Sequence, residues 1–442
     1  MTFAINAVTR LAVVVLVATG NAAAQNPGAP LPEKASEQNV EKLLRRLEAD
    51  ESRIRELEQK LGLQTPSAPV HALEPADPAP APGQIAPAFQ APEPESTDAH
   101  DHMIEIPGGP ALKFKGFTDL NAGGGQLANP LIFPLGATAH NSFQIGEFDL
   151  FMSSRISSHL SFVAELVVGA DRTNSWGLDI ERIQVTYKAN PFFEISAGRY
   201  HSAIGYYNTT FHHGTWFQTA TGRPLMYYFE DSGGLLPMHN VGVTTTGLVP
   251  HTGKLNLHWV AEAGNGRTSS LSPDTQPVQN FLSDRNHKSV NFAAYIKPQW
   301  LEGLQIGGNL YRDHLYPDGV SGVRQTASGL YAVFINSSWE FLNEGVLLRH
   351  ESDMDHRAYN SPLFYTQVSK RFGEYRPYLR YQYVNAVQGD PLNAWHGRYT
   401  GPSVGVRYNI SEYAAFKIQY NQLFQGGAKS LHGLDTQLAF TF

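Results

Sequence analysis

Charged and polar side chains at every second position are the groups in this chain best placed to do chemistry. Glu147, Asp149, Arg155, Glu165, Arg182, Gln184, Glu194 and Glu262 stand in such rows in the first half, between apolar neighbours. Arg376, Tyr378, Arg380, Gln382, Arg407, Lys417 and Gln419 do so in the last quarter, where the row is distinctly basic. Fixed charge repeated along a wall breaks no bonds; it sorts the ions and dipoles that pass beside it. Covalent chemistry has less support. Barrel enzymes set a Ser-His-acid group on a wall or in loops, and the 17 histidines give only isolated candidates for one. The chain has no cysteine, which excludes disulfides, thiolate metal sites and a lipid-anchored cysteine.

Two histidine groups could hold a metal. Asp98, His100, Asp101 and His102 form an acidic cluster that solvation explains as well, and His201, His212 and His213 lack a paired carboxylate at ligand spacing. No metal and no cofactor are expected. The net charge of -7 argues against nucleic acid as a partner, since phosphate binding wants a basic patch.

Between the polar rows lies one long connection, from near Tyr200 to near Met238, about forty residues where a hairpin needs far fewer. It carries Tyr206, Tyr207, His212, His213, Trp216, Phe217, Arg223, Tyr227, Tyr228, Glu230 and Asp231. Folded inward, it would set Glu230 and Asp231 against Arg376, Arg380, Arg407 and Lys417. Opposed charge of this kind orders water and favours polar solutes, but only across a narrow gap, because salt screens beyond about 8–10 Å. A loop packed on the rim, with the arginines paired to neighbouring carboxylates in a hydrated lumen, is the alternative. The aromatic residues could stack on sugar rings or simply fill the loop and its membrane interface.

The elements that position these residues change character along the chain. Arg10, the apolar run Leu11 to Thr19 and Ala22-Ala23-Ala24 read as a signal peptide over 1–24, too short to span a bilayer as a helix. In 25–63, Val40, Leu47, Ile54 and Leu61 recur every seven residues with Leu43 and Leu57 beside them, a short coiled coil that needs a partner for its seam. Residues 64–104 are Pro- and Ala-rich, a semi-rigid linker.

From 105 to 442 the period becomes two. Leu434, Leu438, Phe440 and Phe442 point one way while Asp435, Gln437 and Thr441 point the other. The same alternation runs through 148–152, 160–166, 255–259, 404–408 and 414–420. Strands of about ten residues with this pattern mark a membrane barrel, and about sixteen can be placed, an even number as such barrels require. Tight turns such as Ser157-Ser158 and Ala189-Asn190-Pro191 alternate with longer connections. The expected fold is all-β: a transmembrane antiparallel barrel of about sixteen strands behind a periplasmic coiled-coil helix and linker.

The terminal Leu438-Ala439-Phe440-Thr441-Phe442, the opening Phe114-Lys115-Gly116-Phe117, and the phrases Gly264-Asn265-Gly266 and Asp284-Arg285-Asn286 resemble the bacterial outer-membrane porin superfamily. Within it the chain is similar to the phosphate-selective porin O and P family, though it lacks their tandem arginine ladder. The coiled-coil seam is expected to associate with itself, as a homotrimer, or else to bind another partner. The resemblance implies residence in outer-membrane lipid, passive diffusion of small hydrophilic solutes or ions, and a constriction loop after the fifth strand. It also implies that the outer-membrane assembly machinery reads the final strand through Phe442. A structural anchor, with the coiled coil bound to cell wall or a periplasmic partner, is the other reading.

Overall fold

The computed structural model describes residues 102–104, 110–125, 142–170, 175–211, 214–230, 233–268, 282–283, 285–316, 321–392, 397–426 and 430–442. The signal peptide, the coiled coil and nearly all of the linker therefore lie outside the described residues. A three-residue strand, His102–Ile104, pairs with Leu112–Phe114, so pairing begins just inside the segment read as linker.

Sixteen antiparallel strands close into a ring. They are β1 (Leu112–Gly125), β2 (Ser142–Arg155), β3 (Leu160–Ala170), β4 (Trp176–Asn190), β5 (Phe193–His201), β6 (His239–Leu248), β7 (Leu257–Gly264) and β8 (Ser289–Ile296). The second half comprises β9 (Leu304–Leu315), β10 (Val323–Ile335), β11 (Trp339–Ser352), β12 (Ala358–Lys370), β13 (Tyr375–Ala386), β14 (Gly397–Asn409), β15 (Ala414–Gln425) and β16 (Leu431–Thr441). Each strand pairs with its neighbour in sequence, and β16 pairs with β1, so no edge is left open. The seam is finished by two main-chain hydrogen bonds between Gly116 and Phe442, at 2.8 and 3.0 Å.

Alternation explains the strands. On β10, Gln325, Ala327, Tyr331 and Val333 are buried while Leu330 is 77% exposed on the opposite face. Phe143, Leu178, Phe292, Leu379 and Val404 extend the exposed apolar surface round the ring. An outward face of this composition suits hydrocarbon rather than water. Among the described residues no helix is long and apolar enough to cross a membrane.

The inner face departs from the simple polar-in expectation. Tyr295, Tyr311, Tyr331, Val346, Leu348, Leu363, Tyr365 and Val384 point inward and form one apolar cluster with Ile204, Tyr207, Phe211, Met226, Tyr227, Leu236 and Met238 of the segment 202–238. One arc of the inner wall is thus built to pack a loop. Connections after β2, β4, β10, β12 and β14 are short, and both the start of β1 and the end of β16 lie at that end of the barrel.

Candidate functional site

The described residues of the segment 202–238 lie inside the ring, and their contacts define the site. The segment leaves β5 at His201, forms a one-turn helix at Tyr207–Thr210 (α1) and a 3₁₀ turn at Leu225–Tyr227, and returns to β6 at His239. Near its start, the Ala203 N–H donates to Glu262 on β7 and the Ala203 carbonyl accepts from Asn291 on β8. The Gly205 N–H donates to Asn309 on β9. Beyond this, Glu344 on β11 accepts the N–H groups of Tyr206 and Tyr207 at 2.6 and 3.0 Å. It also accepts the Tyr227 and Tyr365 hydroxyls at 2.7 and 2.6 Å. A buried carboxylate with four donors is fully satisfied and fixes whatever brings the donors. Here that is both limbs of the loop. The Tyr227 hydroxyl, in turn, has its pKa raised by burial and by this carboxylate.

The middle of the loop is held by the basic wall. Lys417 on β15 donates to the carbonyls of Thr215 and Ala220 at 2.5 and 3.2 Å and to Gln437 at 2.8 Å. Arg407 on β14 donates to the carbonyls of Trp216 and Gln218 at 2.6 and 3.1 Å. Arg380 on β13 donates to the Gly222 carbonyl at 2.6 Å and to Gln367. Gln382 and Gln419 accept the N–H groups of Leu225 and Thr221, and Glu340 accepts the Thr219 hydroxyl. Arg376 stands 3.8 Å from Glu340.

These contacts differ from the opposed-charge gap expected from the sequence. Three of the four basic wall residues spend donors on loop carbonyls. Glu230 sits at β6, across the ring from β14, where its carboxylate accepts from the His239 N–H and faces its Nδ1 at 3.0 Å. Burial alone would raise the Glu230 pKa; the adjacent His239 outweighs it and holds the carboxyl below its usual value. Asp231, His212 and His213 lie outside the described residues. Arg223 turns into the loop itself, donating to the Tyr227 carbonyl at 2.8 Å with its guanidinium 3.9 Å from the Phe229 ring. Tyr207 and Tyr227 stack on each other at 5.6 Å in the apolar cluster, where they offer no open face to a sugar, and the Trp216 ring packs beside Arg407.

On the other arc, Glu165 pairs with Arg182 at 2.9 Å and Asp149 is buried beside them on β2. Glu147 sits where β2 bulges against Asp119 of β1. Arg155 is exposed at the short-turn end of β2, away from the loop. A second bulge lies in β4. There Glu165 opposes Arg182 and Leu166 opposes Ile180, so Glu181 is the extra residue. The bulge turns two successive residues, Glu181 and Arg182, to the same side. Strict alternation misses Glu181; the adjacent polar pair inside Asp179-Ile180-Glu181-Arg182-Ile183 is the sequence signal for it.

Glu181 meets two histidines. Its Oε2 is 2.5 Å from His239 Nε2, and His201 and His239 are direct partners across β5 and β6 with ring centres 5.6 Å apart. Thus His201 does find a carboxylate neighbour, contrary to its sequence reading, and finds it on another strand. One further pattern has a structural answer. Gly401-Pro402-Ser403-Val404-Gly405 spells Gly-x-Ser-x-Gly, but it runs straight through β14 with Ser403 Oγ bonded to Asn421 at 2.6 Å. A nucleophile elbow needs a sharp strand-to-helix turn, which a mid-strand position cannot supply.

No family model matches the sequence, and no curated protein matches it either. Solved structures do match in fold. The outer membrane channel DcaP of Acinetobacter baumannii superposes with a TM-score of 0.54 at 11% identity, over 77% of this chain and 99% of that one. An anion-selective porin from Comamonas acidovorans gives 0.53 at 11% identity, over 75% and 100%. Salmonella typhi OmpF, solved with daunomycin, gives 0.52 at 12% identity, over 77% of this chain and 100% of that one. The chain has the porin fold.

Proposed function

We propose that the chain is an outer-membrane porin through which small hydrophilic solutes or ions diffuse passively, with the segment 202–238 as its constriction. The observation that carries this reading is the loop's attachment to inward side chains from β7 to β16, within a closed ring whose outer face is apolar. A barrel of about this strand number leaves a lumen wider than side chains alone can fill. A loop bonded across it narrows the passage without sealing it. The porin fold of the neighbours and the long strands support placement in the outer membrane.

In this reading Arg380, Arg407 and Lys417 hold the loop by its carbonyls. Together with Arg376 they make that side of the passage basic, while Glu165, Glu181 and Glu230 gather on the other. The lumen would then favour polar or zwitterionic solutes and bias anion passage along the basic wall. Three copies in outer-membrane lipid, with Phe442 as the strand end read during assembly, complete the proposal. The charge pattern alone does not select phosphate.

Single-channel recording of the refolded chain in a planar bilayer under a salt gradient tests it. Ohmic steps appearing in threes are the expected result, and the reversal potential reports the charge preference. Silence from a correctly folded barrel would overturn the channel reading in favour of an anchor.

A further inference from the structure

The two ends of the inward loop carry two histidines, His201 and His239, that the channel reading does not use, and both face Glu181 of β4. We propose that Glu181, His201 and His239 form a binding site for a divalent first-row transition metal ion such as zinc, placed at the neck of the loop. One ligand atom from each lies within 4.8 Å of the others, and all three residues are buried. Each comes from a different one of three adjacent strands: Glu181 from the bulge in β4, His201 from the last position of β5, His239 from the first position of β6. Ligands set on paired strands are held more rigidly than ligands on loops.

The dimensions fit. Zinc bonds imidazole nitrogen and carboxylate oxygen at about 2.0–2.2 Å, which sets neighbouring ligand atoms roughly 3.3 Å apart about a tetrahedral centre. Glu181 Oε2 and His239 Nε2, at 2.5 Å, would part by less than about 1 Å to admit the ion, while His201, within 4.8 Å of both, would close by up to about 1.5 Å. The second nitrogen of His239 is already engaged: Nδ1 lies 3.0 Å from Glu230 Oε1, inside the loop. A carboxylate behind a ligating histidine fixes its tautomer and raises its basicity, and is the usual second layer of such sites. On the other side, His201 Nε2 stands 3.7 Å from Glu165.

Charge balance sets the affinity. Arg199 lies 3.3 Å from Glu181 and 3.4 Å from Asp179, so Glu181 is partly neutralised and an ion must share it. Arg182 engages Glu165 in the same way. Three protein ligands leave a fourth position open to water or a solute donor. Two imidazoles favour zinc, nickel, cobalt or copper over magnesium and calcium, which prefer all-oxygen sets. An ion here would join both ends of the loop to the β4 wall. The proposal stands on this geometry and does not depend on the channel reading.

The test is calorimetric titration of the refolded, chelator-treated full chain with zinc chloride alone, alongside cobalt titration followed by visible absorption. Wild type is expected to take one ion per chain at this site, with a tetrahedral cobalt spectrum and no response to magnesium. His201→Gln and His239→Gln should each weaken binding at least tenfold. Glu230→Gln should weaken it by about tenfold while leaving the stoichiometry intact. Circular dichroism confirms that each variant is folded, and Glu181→Gln provides a further variant should one histidine prove necessary for refolding. Absence of zinc uptake by wild type, or uptake unchanged in both histidine variants, would overturn the proposal and mark any binding as adventitious.

Discussion

Tyr227 donates its hydroxyl to Glu344 at 2.7 Å, and the same carboxylate receives the main-chain N–H groups of Tyr206 and Tyr207. One side chain of β11 therefore fixes two stretches of loop that are far apart in sequence. Replacing it by alanine leaves two N–H groups and two phenols buried without their acceptor. Hydrogen bonds to a charged group are worth about 1.5–3 kcal/mol each, and the losses are not additive. Glu344→Ala is expected to undock the loop at a cost of a few kcal/mol, on the order of two such bonds. Single-channel recording should then show larger and noisier steps than wild type. Steps of unchanged size and quietness would mean that the apolar cluster alone suffices to hold the loop.

The basic wall makes a different prediction. Lys417, Arg407 and Arg380 all donate to loop carbonyls, and all three are basic groups on one arc of the inner wall. Exchanging all three for glutamine preserves part of the donor capacity and removes the basic groups from that arc. The expected result is a reversal potential shifted toward cations in a salt gradient. A potential that does not move would show that the loop screens these charges from the permeating ions, leaving them an adhesive role only.

How far the sequence carried this site can be followed residue by residue. The alternation around Leu434 and Phe440 marks a strand because each position answers to one solvent, lipid or lumen, independently of distant contacts. For the same reason Arg380, Arg407 and Lys417 were legible as inward residues. Their partners were not. The carbonyls of Thr215, Trp216, Ala220 and Gly222 belong to the backbone, which no residue type announces. Glu181 was lost for another reason: one extra residue in β4 shifts the phase, and a reading that assumes period two counts past it. His239 stood at the far end of the long connection, where only the register of β5 on β6 brings it to His201.

Gly205 tests the loop's path from the backbone side. Its φ of 72° is left-handed, a region that costs other L residues roughly 1–2 kcal/mol. A Cβ there would also run into the Tyr227 hydroxyl and the Glu344 carboxylate. Gly205→Ala is therefore expected to act on the same anchor as Glu344→Ala. Combined in one chain, the two changes should enlarge the conductance little more than either alone. Fully additive effects would separate the turn from the carboxylate and refute a shared anchor.

Phe442 closes the ring, and its role can be split between stability and assembly. Its main chain exchanges two hydrogen bonds with Gly116, and its ring stands 5.9 Å from Phe148 on the outer face. A Phe442→Ala substitution keeps the main-chain pairing and removes a ring that is already 51% exposed. Burial of about half an aromatic side chain is worth on the order of 1 kcal/mol, a small fraction of what a closed barrel needs to unfold. The variant refolded in detergent should thus melt close to wild type. In cells, if the ring is the feature that the assembly machinery reads, the folded barrel in the outer-membrane fraction should fall several-fold. Equal amounts of wild type and variant in that fraction would leave the ring with packing as its whole function. A large loss of stability in detergent would instead place the effect in the barrel seam.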